Sequence, residues 1–128
     1  MIMRAGIKPG VRFHIRDRVQ RSDPAIGPGK IALLEAIGSA GSITSAAKLL
    51  GMSYRRAWLL VEETNRCLVR PAVVTLAGGK RGGGTSLTPA GVELVRRYRA
   101  VERQTGSAVR HQLRFLLRDI QRRRHTEK

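Results

Sequence analysis

Residues 41–58 read Gly41-Ser42-Ile43-Thr44-Ser45-Ala46-Ala47-Lys48-Leu49-Leu50-Gly51-Met52-Ser53-Tyr54-Arg55-Arg56-Ala57-Trp58, and this stretch decides the fold. Ser42 is placed to cap a helix in which Ile43, Ala46, Ala47 and Leu50 recur at i, i+3, i+4 and i+7. Gly51 stops that helix after little more than two turns and accepts the positive φ a sharp turn needs. Ser53 caps the next helix, which should run to about Arg66 with Ala57, Trp58, Val61 and, near its end, Leu68 on the inner face. Ala46 and Ala47 are small enough to let the two helices cross closely. The second helix then presents its N-terminal turn outward.

Upstream, Gly27-Pro28-Gly29 breaks the chain, and Ile31, Leu34 and Ile37, widened by Leu33, mark a first helix that Gly38 to Gly41 ends. Before it, Val11 to Arg16 alternate apolar and polar residues, which predicts a half-buried strand within residues 10–19. Downstream, Pro71 forbids helix, Val73-Val74-Thr75-Leu76 reads as a strand, and Thr85-Ser86-Leu87 as its partner. Between them Gly78-Gly79-Lys80-Arg81-Gly82-Gly83-Gly84 forms a hairpin tip. Thr88-Pro89 starts a last long helix. Its stripe of Leu94, Tyr98, Val101 and Thr105 continues as Val109, Leu113, Leu116 and Ile120, with Gly106 as an interruption and candidate kink. The order is that of a winged helix-turn-helix, mainly α with a small β-sheet. We expect a single domain with the winged unit at 28–87, one or two dimerisation helices at 88–121 and a basic tail at 122–128.

The charge agrees with this order. The chain has 128 residues and a formal net charge of +16, which self-repels unless a polyanion is near, and nucleic acid is the commonest one. Aromatic residues make up 4%, too few for a stacking platform for single strands. The partner expected is double-stranded DNA. The hydrophobic fraction of 41% is enough for a core, and no run of about 18 apolar residues predicts a membrane span. The lone Cys67 excludes an internal disulfide and points, with the absence of a signal-like N-terminus, to the cytoplasm.

In a helix-turn-helix the second helix of the pair, here the third helix of the chain, enters the major groove by its N-terminal turn. Ser53, Tyr54, Arg55, Arg56 and, one turn on, Leu59 are the residues it would present, with Ser42 and Thr44 from the preceding helix start. Arg55 or Arg56 could take guanine O6 and N7 bidentately, while Ser53 and Tyr54 suit phosphates or shared contacts. Trp58 is expected in the core. Lys80 and Arg81 at the glycine tip suit phosphates or a minor groove. The tip is not a phosphate cradle, since Arg81, not Ser or Thr, follows Lys80. His14, His111 and His125 are scattered and Cys67 has no partner at ligand spacing, so no metal is expected. No nucleophile–base pair and no paired carboxylates stand out, and no enzyme, catalytic residue or cofactor is expected. Leu94, Tyr98, Val101, Val109, Leu113, Leu116 and Ile120 are the expected homodimer interface. A non-specific architectural DNA-binding protein and an adaptor whose last helix binds another protein are the alternatives.

The same residues resemble those of the ModE-type, molybdate-responsive transcriptional regulators. The resemblance lies in Gly27-Pro28-Gly29-Lys30-Ile31-Ala32-Leu33-Leu34-Glu35-Ala36-Ile37, in Gly41-Ser42-Ile43 through Ala46-Ala47-Lys48, in Gly51 through Trp58, in the glycine tip and in Leu87-Thr88, and spans residues 10–115. It implies a LysR-like winged helix-turn-helix and a symmetric dimer, formed by the N-terminal strand region and the long final helix, on a palindromic operator. It also implies control of molybdate uptake or molybdoenzyme genes. The family's oxyanion-binding domains are small β-barrels, and no β-rich segment precedes Lys128. We therefore expect no bound molybdate, and any signal to come through a separate effector-sensing protein.

Overall fold

The structure is a computed structural model that describes residues 10–16, 25–76 and 84–126. The chain divides into two compact units, residues 12–98 and residues 99–128 together with 1–11. Described elements follow in the order α1 (Pro28–Ala40), α2 (Ile43–Leu50), α3 (Tyr54–Cys67), β1 (Val73–Thr75), β2 (Thr85–Leu87), α4 (Pro89–Ala108) and α5 (Arg110–Thr126). This is a mainly helical fold with one two-stranded antiparallel sheet, a winged helix-turn-helix.

The local signals act as their chemistry dictates. Pro28 occupies the first turn of α1, where its missing N–H costs nothing, and Gly41 ends that helix at φ 76°. Ser42 caps α2 by accepting from the Ser45 N–H, and Ser53 caps α3 by accepting from the Arg56 N–H, each worth about 1 kcal/mol. Gly51 turns the chain between them at φ 67°. Thr88 caps α4 by accepting from the Gly91 N–H, and its hydroxyl donates to the Pro71 carbonyl.

The core of the first unit joins Ile31, Leu33, Leu34 and Ile37 of α1 to Ile43, Ala46 and Ala47 of α2 and to Ala57 and Val61 of α3. Ala46, Ala47 and Ala57 are all buried in the same core, so α2 and α3 each turn small side chains inward. Two polar anchors then orient α3. Lys30, itself buried, donates to the Ala25 carbonyl at 2.9 Å and pairs with Glu63 at 3.3 Å, tying the base of α1 to α3. Two residues further along α3, the Asn65 amide donates to Val73 O (3.1 Å), and its oxygen accepts from the N–H groups of Ala72 (2.9 Å) and Val73 (3.2 Å). The side chain thus satisfies the outer edge of β1 as a neighbouring strand would.

The sheet is short, with Val73, Val74 and Thr75 opposite Leu87, Ser86 and Thr85. It hangs from α1 by a hydrogen bond from Thr85 N–H to Gly41 O, and Leu76 N–H to Gly84 O extends the pairing by a step. A Cβ at Gly91 would lie 2.2 Å from the Ala72 carbonyl oxygen, so only glycine lets α4 approach the start of β1 so closely.

Several expectations are corrected. Of the strand expected in residues 10–19, the described part forms only an isolated antiparallel bridge between Ile15 and Ile26; residues 17–19 lie outside the described residues. The helix break falls at Val109, not at Gly106, which sits within α4 with open space around its Cα. Even there the helical bonds Val109 N–H to Thr105 O and Leu113 N–H to Val109 O are kept. Leu50, expected inside, is exposed, because its helix ends at the next residue. Tyr98, expected at a dimer seam, is only 2% exposed: its ring stacks on Phe13 at 4.0 Å and its hydroxyl donates to the Phe13 carbonyl.

Candidate nucleic-acid interface

The second helix of the pair, α3, has one buried and one exposed side. Ala57, Val61 and Thr64 are buried, and Leu60 packs against the same core. The Thr64 hydroxyl donates back to Leu60 O, which lets a polar residue sit on the inner face at no cost in unpaired groups. The other side carries Tyr54, Arg55, Arg56, Trp58 and Leu59, all exposed, at the N-terminal end of the helix. A helix with its side chains is 10–12 Å across, which matches the major groove of B-DNA at about 12 Å.

On α3 the expectation for Trp58 is corrected. It is 44% exposed, not part of the core. Trp58, Leu59, Leu60 and Val61 are consecutive, so hydrophobicity runs right round the helix and does not select a face. The selection comes from Ala57, whose methyl fits the close crossing with α2 where an indole would not. Trp58, one residue on and therefore about 100° round the helix, is turned outward beside Tyr54, its neighbour one turn earlier.

The expected contact residues are placed as follows. Ser53 is exposed and Ser42 half-buried, with each hydroxyl oxygen engaged as a cap and its O–H left to donate. Thr44 and Lys48 are exposed on α2. Arg55 and Arg56 have no ion-pair partner among the described residues, whereas Arg96 and Arg97 share Glu93 and Arg99 pairs with Glu102. Lys80 and Arg81 lie outside the described residues, as does the whole tip at 77–83. β1 and β2 nevertheless bring the two ends of that tip, Leu76 and Gly84, within hydrogen-bonding distance of each other at 2.7 Å.

Hydrogen bonds from Arg96 and Arg97 hold the Glu93 carboxyl down at about 2, with their charges adding to the effect. This is a surface cluster on α4. Among the described residues no group of three His, Cys, Asp or Glu side chains is placed to hold a metal ion, and none forms a helix long and apolar enough to cross a membrane.

In the second unit, Val101, Phe115, Leu116 and Ile120 are exposed, and Val109, Leu113 and Leu117 half-buried. On α5, Leu113, Leu116, Leu117 and Ile120 recur at helical spacing on one side, with Arg110, Arg114 and Arg118 on another.

No protein-family model matches the chain. Among characterised proteins it is similar to the molybdenum-pterin-binding protein MopB of Rhodobacter capsulatus, with 45% identity over 84 residues, 66% of this chain and 31% of the relative. The molybdenum transport protein ModE of Azotobacter vinelandii is 45% identical over 85 residues, 66% of this chain and 32% of the relative. The DNA-binding transcriptional dual regulator ModE of Escherichia coli K12 is 41% identical over 71 residues, 56% of this chain and 27% of that protein. The chain spans about a third of the length of the relatives it matches. Over some two thirds of its own length it is therefore a homologue of the ModE and MopB proteins, and the segment they share corresponds to a ModE-like N-terminal domain.

Proposed function

We propose that this chain is a sequence-specific, DNA-binding transcriptional regulator that acts as a homodimer. The observation that carries the reading is the exposed N-terminal half of α3, with Arg55 and Arg56 unpaired among the described residues and the C-terminal half of the helix anchored by the Lys30–Glu63 pair and by Asn65. One arginine reads guanine in the major groove, and the Ser53 hydroxyl, beside the positive end of the helix, donates to a phosphate. Lys80 and Arg81 on the hairpin tip add phosphate or minor-groove contacts. The relatives' names as transcriptional regulators support the same reading.

The dimer is proposed on the exposed Val101, Leu116 and Ile120 with Val109 and Leu113, while Tyr98 is already used inside the chain and Leu94 packs against its core. Sedimentation distinguishes the 14.1 kDa monomer from a dimer of twice that mass. An effector signal would reach the chain through a separate sensing protein.

The test is selection of bound sequences from random duplex DNA at near-physiological salt. Enrichment of one inverted repeat, bound some 10³–10⁷-fold more tightly than random sequence, is the expected result. Uniform binding that collapses as salt rises would overturn it in favour of an architectural DNA-coating protein.

A further inference from the structure

Two exposed apolar side chains on α3 are accounted for neither by the core nor by phosphate binding. Trp58 is 44% and Leu59 39% exposed, and they are adjacent in sequence. Tyr54 stands one turn before Trp58 and Arg55 one turn before Leu59, so each apolar residue has a polar or charged neighbour at i−4 on the same surface. A guanidinium and a phenol thus border an apolar edge. Such a surface is complementary to a polyanion whose interior presents apolar groups, which describes the major groove of DNA. Along its floor the base edges offer donors, acceptors and a single kind of apolar group, the C5-methyl of thymine.

We propose that Trp58 and Leu59 read thymine through its 5-methyl group, beside the guanine contacted from the arginine pair. The proposal rests on α3 being the helix that enters the groove. It adds to that reading the chemistry by which a base without a guanine-type acceptor pair is recognised. Hydrogen-bonding residues distinguish guanine and adenine by their acceptors and donors, but the methyl group is legible only to an apolar surface. Removing one buried methyl should weaken binding about fourfold.

The experiment uses the full chain and the inverted repeat recovered by selection, with deoxyuridine replacing thymine at one half-site position at a time. The change removes the methyl and leaves every hydrogen-bonding group in place. Affinity is read by fluorescence anisotropy for the wild type and for Trp58→Ala, Trp58→Phe and Leu59→Ser. The wild type should lose about fourfold per half-site at one position, or about sixteenfold when both half-sites are changed. Trp58→Ala and Leu59→Ser should bind the thymine duplex more weakly and be indifferent to deoxyuridine there, while Trp58→Phe keeps part of the preference. Thermal melting of each variant verifies folding, which the exposure of both side chains should spare. A wild type indifferent to deoxyuridine at every position, or variants that keep the full thymine preference, would overturn the proposal while leaving the regulator intact. Failure to recover any inverted repeat would instead remove the DNA-reading function itself, and the methyl contact with it.

Discussion

Replacing Asn65 with alanine should damage this fold more than its half-exposed position suggests. Its amide makes three hydrogen bonds to the backbone of Ala72 and Val73, at 2.9, 3.2 and 3.1 Å. Ala72 and Val73 are themselves buried, so truncation leaves two N–H groups and a carbonyl with restricted access to water. At about 1 kcal/mol per bond, the loss is about 3 kcal/mol. For a unit of this size that corresponds to a fall of about 12–24 °C in Tm. Urea or thermal unfolding followed by circular dichroism measures it. Asn65→Asp supplies the control: it keeps the acceptor for both N–H groups but turns a carboxylate oxygen toward the Val73 carbonyl. That variant should gain stability as the pH falls, because protonation restores a donor. Destabilisation below 1 kcal/mol in Asn65→Ala would refute the view that this side chain stands in for a strand at the edge of β1. Because β1 carries the hairpin tip, DNA affinity should fall together with stability.

Other substitutions probe the remaining supports. Gly51→Ala should cost about 1–2 kcal/mol by chemical denaturation, because φ is 67° there while nothing crowds an added Cβ; a neutral result would deny that the turn needs glycine. Ala47→Leu, which forces a larger side chain into the buried crossing of α2 and α3, should cost about 1–3 kcal/mol and lower DNA affinity; an unchanged affinity would mean that the crossing does not set the position of α3. Glu93, held at about 2 against an ordinary 4.5, contributes stability that is present above pH 4.5 and lost as the pH falls toward 2. Glu93→Gln should flatten that acid limb, and an identical acid profile in the variant would assign the limb to other groups. Arg55→Ala and Arg56→Ala, assayed on the selected repeat and on random DNA, should between them cost about 1–3 kcal/mol on the repeat and relax one base position; equal losses on both DNAs would contradict direct readout.

Burial explains why α3 is suited to present these groups. A reading helix has to be rigid to within the geometry of a bidentate contact, yet its contact face contributes nothing to folding. Here rigidity is supplied from behind and from the C-terminal half: Ala57 and Val61 lie in the core, Lys30 pairs with Glu63, and Asn65 joins the last turn to β1. Tyr54, Arg55, Trp58 and Leu59 lie outside that core, so under the proposed function the contact residues can vary with little effect on the packing behind them.

The sequence by itself determined the punctuation of this protein. Gly41, Gly51, Ser42, Ser53 and Thr88-Pro89 mark helix ends through interactions within a few residues, and the helix order, the short hairpin and the excess of positive charge followed without knowledge of packing. Tertiary structure decided which face of each helix was used. Trp58 is outward because Ala57 occupies a crossing too narrow for an indole, and Tyr98 is inward because Phe13, 85 residues earlier, offers it a ring and a carbonyl. Asn65, which carries no signal in the pattern of hydrophobic residues, became a structural anchor through the nearby backbone of β1. Caps and turns are short-range and legible one segment at a time. Face selection depends on the volume and the hydrogen-bonding groups of whatever segment arrives opposite, and only the folded chain supplies those.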